Sequence, residues 1–228
     1  MSDPRLHTRF CDLVGVRHPV VQTGMGWVSG PLLTAATSAA GGLGILAAAT
    51  LGFDEMVAAV DEVRSATDAP FGVNLRTDAG DVARRVDHLI TAEVPVASFA
   101  QAPDRDTVDR LVEVGVVVIP TVGAVRHAEK VVEWGVDAVI AQGAEGGGHT
   151  GVVPTSILIP QIVDSVDIPV IAAGGFTDGR GLAAALAFGA HGIAMGTRFL
   201  LTAESGVPET VKASYCLLYT SPSPRDRG

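Results

Sequence analysis

Several things are scarce in this chain. Cysteine occurs twice, at Cys11 and Cys216, with no CxxC pair. That argues against a disulfide framework or a cysteine-ligated zinc site, and it fits a reducing cytoplasm. Lysine also occurs twice, at Lys130 and Lys212, and the formal net charge is −9. No basic stripe exists to follow a phosphate backbone, so nucleic acid is not expected as a partner. Aromatic residues make up 5%, so a core must be built from Ala, Val, Leu and Ile. Apolar runs are broken by Gly or a charge well before membrane-spanning length. The opening Met1-Ser2-Asp3-Pro4-Arg5 has no apolar signal core.

What is present is apolar and periodic. Of 228 residues, 47% are hydrophobic and 18% charged, enough to bury a substantial core. Short apolar runs recur at Val20–Thr23, Leu43–Ala47, Phe71–Leu75, Val96–Phe99, Val116–Thr121, Ala138–Gln142, Pro169–Ala173 and Gly192–Met195. Their mean spacing is about 25 residues, near the minimum for a strand–helix unit. Each run is apolar throughout, as parallel strands covered on both faces are. Between them lie helical patterns at Phe53–Ala66, Asp81–Thr91, Asp106–Val114, Val125–Trp134 and Gly179–Phe188, and a last one at Val207–Tyr215. Strict alternation implies a parallel sheet with right-handed crossovers. Eight evenly spaced strands favour a closed (β/α)8 TIM barrel over an open doubly wound sheet. An open sheet would carry its glycine-rich turn after the first strand, whereas here the glycine pairs come late.

The C-terminal segment reads differently. Cys216-Leu217-Leu218-Tyr219-Thr220-Ser221-Pro222-Ser223-Pro224-Arg225-Asp226 resembles a sequencing adapter translated as coding sequence. The plainer alternative is a Pro/Ser-rich disordered tail. The expected organisation is a barrel over residues 1–215, C-terminally truncated, with a non-native tail at 216–228. Such a truncated barrel is expected to be less stable than its parent.

The chemistry-bearing residues fall at strand ends. Gly174-Gly175 follows the seventh strand, and Gly196-Thr197 follows the eighth. In β/α barrels these loops often hold a phosphate on backbone N–H groups. Read as structure alone, the same glycines merely make tight turns. The run Gln142-Gly143-Ala144-Glu145-Gly146-Gly147-Gly148-His149-Thr150-Gly151 follows the sixth strand. It presents an amide at the strand tip, glycines that let backbone lie against a flat ligand, and a histidine suited to be a general base. His7, His18, His88, His127 and His191 lie by helices or termini and take packing or surface readings. Asn74 tips the third strand, either as a ligand contact or as a cap of the next turn. Gln22-Thr23-Gly24-Met25-Gly26 ends the first strand, where Met25 suits an aromatic ring or plain packing. Gly41-Gly42-Leu43-Gly44 precedes a strand and is no dinucleotide fingerprint. Ser38, Ser98 and Ser156 lack a nucleophile-elbow context.

Four segments together resemble the nitronate monooxygenase family: His18–Gly26, Phe71–Asn74, Ile140–Gly151, and Ile171–Gly175 taken with Met195–Phe199. The resemblance covers roughly residues 10–215 and is most specific from Gln142 to His149. It implies a TIM barrel holding FMN non-covalently. Asn74, Gln142, Gly147, Gly174, Gly175, Ala194, Met195, Gly196 and Thr197 would contact the cofactor, and Gln22, Thr23, Gly24 and Met25 would lie by its ring. His149 falls on the family's catalytic histidine, which would take the α-proton of a nitroalkane, with oxygen completing the oxidation. Two departures stand out. Gln22-Thr23-Gly24-Met25-Gly26-Trp27 replaces the usual Gln-Gly-Pro-Met, and Glu145-Gly146-Gly147-Gly148-His149 replaces Glu-Ala-Gly-Gly-His. Arg76 adds a cation at the barrel mouth, and Arg198 a second charge. These features resemble members that use NAD(P)H to act on enoyl, acyl-CoA or steroid-derived substrates. A phosphate-ligand binding barrel without turnover is the non-enzymatic alternative.

Overall fold

The computed structural model describes residues 4–148 and 151–220. Eight parallel strands close into a barrel in sequence order, with the first strand pairing the eighth. They are β1 (Val20–Gln22), β2 (Leu43–Ala47), β3 (Phe71–Leu75), β4 (Val96–Phe99), β5 (Val117–Val122), β6 (Val139–Gln142), β7 (Val170–Ala173) and β8 (Gly192–Met195). Each apolar run of the sequence is a strand, to within a residue at either end. β1 stops at Gln22 rather than Thr23, because the chain there turns away to start the Thr23–Ser29 loop.

The helices outside the barrel are α1 (Arg9–Val14), α2 (Pro31–Ala39), α3 (Phe53–Ala66), α4 (Val82–Thr91), α5 (Arg105–Glu113), α6 (Val125–Val132), α7 (Thr155–Val163), α8 (Gly179–Ala187), α9 (Thr197–Leu200) and α10 (Glu209–Thr220). α10 starts behind Pro208 and runs past Tyr215, where the sequence pattern had placed its end. Among the described residues, no helix is long and apolar enough to cross a membrane.

Side-chain parity sorts the strand residues into two cores. Outward-facing Val73, Leu75, Ala97, Val139, Ala141 and Ala172 pack under the helices. Inward-facing Val21, Ile45, Val96, Ile140, Ile171 and Ala194 fill the barrel. Phe10, Cys11 and Val14 of α1 join that inner core from below and are buried. The Thr8 hydroxyl donates to the His191 carbonyl at 2.6 Å, and Arg9 donates to the Asp167 carbonyl at 2.7 Å. α1 therefore plugs the N-terminal end of the barrel, where β7 and β8 begin. Among the described residues, no helix plugs the C-terminal end in this way.

Candidate active site

Continuing the inward parity to the strand tips explains which side chains reach the open end. Val96 points inward, so Ser98 does too. Ile140 points inward, so Gln142 follows. On β3, Val73 and Leu75 point out, which turns Asn74 in. These tips surround a cavity of about 740 Å3, within the range of small-molecule sites. Its lining includes Thr23, Gly24, Met25, Asn74, Gln142, Gly147, Gly174, Gly175, Ala194, Met195, Gly196 and Thr197. Every residue assigned to the cofactor by resemblance is thus brought together here, apart from Gln22.

Gln22 stands apart from the other residues expected at the ring. It is completely buried and does not line the cavity. Parity is the reason: Val21 points into the barrel, so Gln22 points out toward the helices. Its Nε2 donates to the carbonyls of Thr23 (2.5 Å) and Ile45 (3.1 Å) and to Ser29 Oγ (2.9 Å). Ser29 Oγ in turn donates to the Thr23 carbonyl and accepts from the Met25 amide. Gln22 therefore holds the base of the Thr23–Ser29 loop and acts on the cavity only through it.

One wall of the cavity is backbone. Gly174 has φ +109 and Gly175 φ +79, a region that side chains rarely adopt. A Cβ on Gly174 would lie 2.7 Å from Thr155 Oγ1, so the turn admits no side chain. On the first loop, a Cβ on Gly24 would meet Asn74 Cβ at 2.5 Å. These positions expose main chain to whatever fills the cavity, and Gly196-Thr197 leads into α9 beside them. Main chain exposed in this way suits a phosphate-bearing planar cofactor, so the residues present fit a flavin.

The rest of the lining includes side chains. Met25, Trp27 and Val28 come from the first loop, with Met25 beside Gly196, and Tyr215 comes from α10. Trp27 is 88% exposed at φ +59, an unusual conformation for a bulky residue. Arg76 lines the mouth, but Asp78 grips it at 2.8 and 2.6 Å. That contact raises the Arg76 pKa and matches its charge. Arg198 is exposed and lies away from the cavity lining.

The sequence left some residues unassigned. Ser98, dismissed as a nucleophile, lines the cavity 3.5 Å from Asn74 Nδ2. Strand parity was the signal that points to it. Arg85 was unmarked, yet it is buried, with Nε on Asp81 (2.8 Å), Nη1 on the Ala48 carbonyl (2.8 Å) and Nη2 on the Leu51 carbonyl (2.7 Å). It thereby fixes the Ala48–Thr50 turn, whose Ala49 and Thr50 also line the cavity. Gln142 donates from Nε2 to the Gly147 carbonyl at 2.8 Å, folding the glycine loop back on its own strand. Gly148 lines the cavity; the next residue, His149, lies outside the described residues.

Fold and site together define a β/α barrel with a glycine-walled ligand cavity at the C-terminal ends of its strands. The family profile described as nitronate monooxygenase matches residues 7–85 and 78–219. This chain belongs to the nitronate monooxygenase family. A Rhodococcus jostii (strain RHA1) protein named (3aS,4S,5R,7aS)-5-hydroxy-7a-methyl-1-oxo-octahydro-1H-indene-4-carboxyl-CoA dehydrogenase is 61% identical over 210 residues, covering 92% of this chain. The chain spans 60% of that relative's own length. FabK from Thermotoga maritima matches with a TM-score of 0.89 at 43% identity, over 91% of this chain and 67% of that one. Nitroalkane oxidase from Streptomyces ansochromogenes matches with a TM-score of 0.83 at 35% identity, over 90% and 72%.

Proposed function

We propose that this barrel belongs to an FMN-dependent oxidoreductase acting on a bulky CoA thioester. The observation that carries the reading is the lining of the cavity. Its glycine turns suit the phosphate and ring edge of the flavin, and Met25 and Trp27 add apolar surface at the mouth for a bulky substrate. Identity of 61% with a protein named for a ring-bearing carboxyl-CoA supports the same substrate class. When bound, FMN supplies two-electron acceptance or donation. The chain's part is to orient the cofactor on Asn74, Gln142 and the Gly174-Gly175 and Gly196-Thr197 turns, and to exclude water with the first loop. His149, one residue beyond Gly148, is the general base that takes the proton released as the substrate is oxidised.

The second reading is oxidation of nitronates or nitroalkanes with oxygen. The Gln142–Gly148 loop leading to His149 favours it, since a nitroalkane needs only a base beside a flavin. NAD(P)H as reductant of an enoyl substrate is the reverse flow through the same site.

Anaerobic mixing of the FMN-loaded protein separates these. Bleaching of the flavin by a hydroindene-carboxyl-CoA, with none by a nitronate, supports the leading reading. Bleaching by the nitronate alone would replace it with the second, and rapid bleaching by NADH or NADPH would assign the reductive direction. Failure of the protein to take up FMN at all would sink every flavin reading and leave a phosphate-ligand binding barrel.

A further inference from the structure

The Gln142–Gly148 loop reaches the cavity and is folded back on its own strand by Gln142, but that bond does not tie it to the neighbouring elements. The fastening lies at Glu145. Its Oε2 accepts from the Thr155 amide at 2.8 Å and from the Thr155 hydroxyl at 2.7 Å. Thr155 opens α7, whose N-cap is Pro154, a residue with no side-chain acceptor. Glu145 therefore supplies from ten residues away what a Ser, Thr or Asp cap supplies locally: an acceptor for an orphan N–H and a negative charge at the helix start.

The same threonine touches the cofactor turn. Its hydroxyl lies 3.2 Å from the Gly174 carbonyl, so one proton serves two acceptors. A Cβ on Gly143 would fall 2.2 Å from Thr155 Oγ1, and one on Gly174 would fall 3.1 Å from the Gly146 amide nitrogen. Glu145 Cβ itself would meet a Cβ on Gly175 at 3.4 Å. The loop, the start of α7 and the Gly174-Gly175 turn thus converge on one side chain. The base of the excursion is closed by Ala144 N–H to the Val153 carbonyl at 2.9 Å. Glu145 adds the next link inward.

We propose that Glu145 is a positioning residue, whose carboxylate latches the glycine loop to α7 and the cofactor turn through Thr155. It lines the cavity but spends an oxygen on two protein donors. Its role is to set where the backbone of Gly146 to Gly148 lies, and so to present the residue that follows. The hydrogen bonds from Thr155 hold its carboxyl below the ordinary range, consistent with an acceptor that works charged.

The test begins with the loop and does not depend on which reaction is right. Amide hydrogen exchange is compared in the wild type, Glu145→Ala, Thr155→Val and Thr155→Ser. Glu145→Ala and Thr155→Val should speed exchange at residues 143–148 and 174–176 together, by about tenfold, the scale of one charge-assisted hydrogen bond. The amides of β1 to β4 should not move. Thr155→Ser keeps both donors and should restore wild-type exchange. At residues 143–148 the double variant should be no faster than Glu145→Ala, because Thr155→Val removes only the hydroxyl half of the link that Glu145→Ala removes whole. Where turnover is measurable, kcat should fall more than KM rises, since the latch orients and does not bind substrate. Unchanged loop exchange in Glu145→Ala, or additive effects in the double variant, would overturn the proposal. A wild type that binds no flavin refutes the functional reading above and leaves the exchange result to decide the latch.

Discussion

The two ends of the barrel are built from the same strands to opposite specifications. At the N-terminal end, α1 drives Phe10, Cys11 and Val14 into the inner core, and the depression beside it is a shallow one of about 560 Å3 that includes Arg9, Asp12 and Asp137. At the C-terminal end the inner core stops, and glycine backbone, strand-tip amides and an exposed indole take its place. Burial at one end is there for stability, and exposed backbone at the other is there for a ligand. The difference implies that the two properties are separable by mutation. Changes at the top should alter binding and turnover with little loss of stability, and changes at the bottom should do the reverse.

The largest expected effect is at the top. His149→Ala should lower kcat by about 10²–10⁴, the usual contribution of a positioned general base. FMN affinity and the thermal midpoint should stay near wild type. If the second reading holds, a nitronate, already deprotonated, should be turned over with a much smaller loss than its parent nitroalkane. Equal losses on the two would show that His149 does something other than take the proton.

The next effect is at the bottom. Phe10 is fully buried among Val21, Leu43 and the other inner residues. Phe10→Ala should cost about 3–5 kcal/mol in a denaturant titration. The folded fraction should bind FMN as the wild type does. A matching loss of flavin affinity would mean that the two ends are coupled through the barrel, and the comparison would fail.

How much of this could be read in advance follows from the same division. The strands were legible because residues such as Val139, Ile140 and Ala141 are covered on both faces and leave unbroken apolar runs. The glycine turns were legible because they follow those runs. Four helices are not legible in the sequence. α1 and α9 are six and four residues long, too short for a period to show. α2 reads Pro-Leu-Leu-Thr-Ala-Ala-Thr-Ser-Ala, with no polar face to set against an apolar one. α7 carries Pro160 inside it, which reads as a breaker. Gln22 was misplaced because its orientation depends on a one-residue parity that the strand end fixes only in three dimensions. The Glu145–Thr155 contact was invisible because neither residue is unusual and only the fold brings the loop onto α7.

A smaller effect has the opposite sign. Trp27 lies at the mouth with φ +59 and 88% of its surface exposed, so it contributes little packing while holding a strained backbone. Its amide makes only a long contact, 3.4 Å, with Thr50 Oγ1. Trp27→Gly should relieve the strain and raise stability by up to about 1 kcal/mol. The same change strips the apolar wall and should raise the KM for a CoA thioester several-fold. Lower stability would show that the indole packs in solution, and an unchanged KM would remove it from the substrate wall.

The smallest effect tests the bottom face by pH. Asp137 precedes β6 and is half-buried, and its Oδ2 accepts from the Val118 amide at 2.8 Å. Burial pushes its carboxyl above the ordinary range, and the hydrogen bonds from Val118 and its own amide only partly oppose this. Because the folded value is the higher one, the native protein holds this proton more tightly than the unfolded chain does. The wild type therefore loses stability as pH rises from the unfolded value through the folded one, and the loss is flat above that. Asp137→Asn keeps an acceptor for Val118 and carries no charge to bury. Its thermal midpoint relative to wild type should be most favourable near neutral pH, and that advantage should shrink as pH falls through the carboxylate range. The expected size is below about 1 kcal/mol, with turnover untouched because the site is at the far end of the barrel. An advantage that grows toward acid would mean that the hydrogen bonds outweigh burial, and Asp137 would then be a stabilising anion of the lower face.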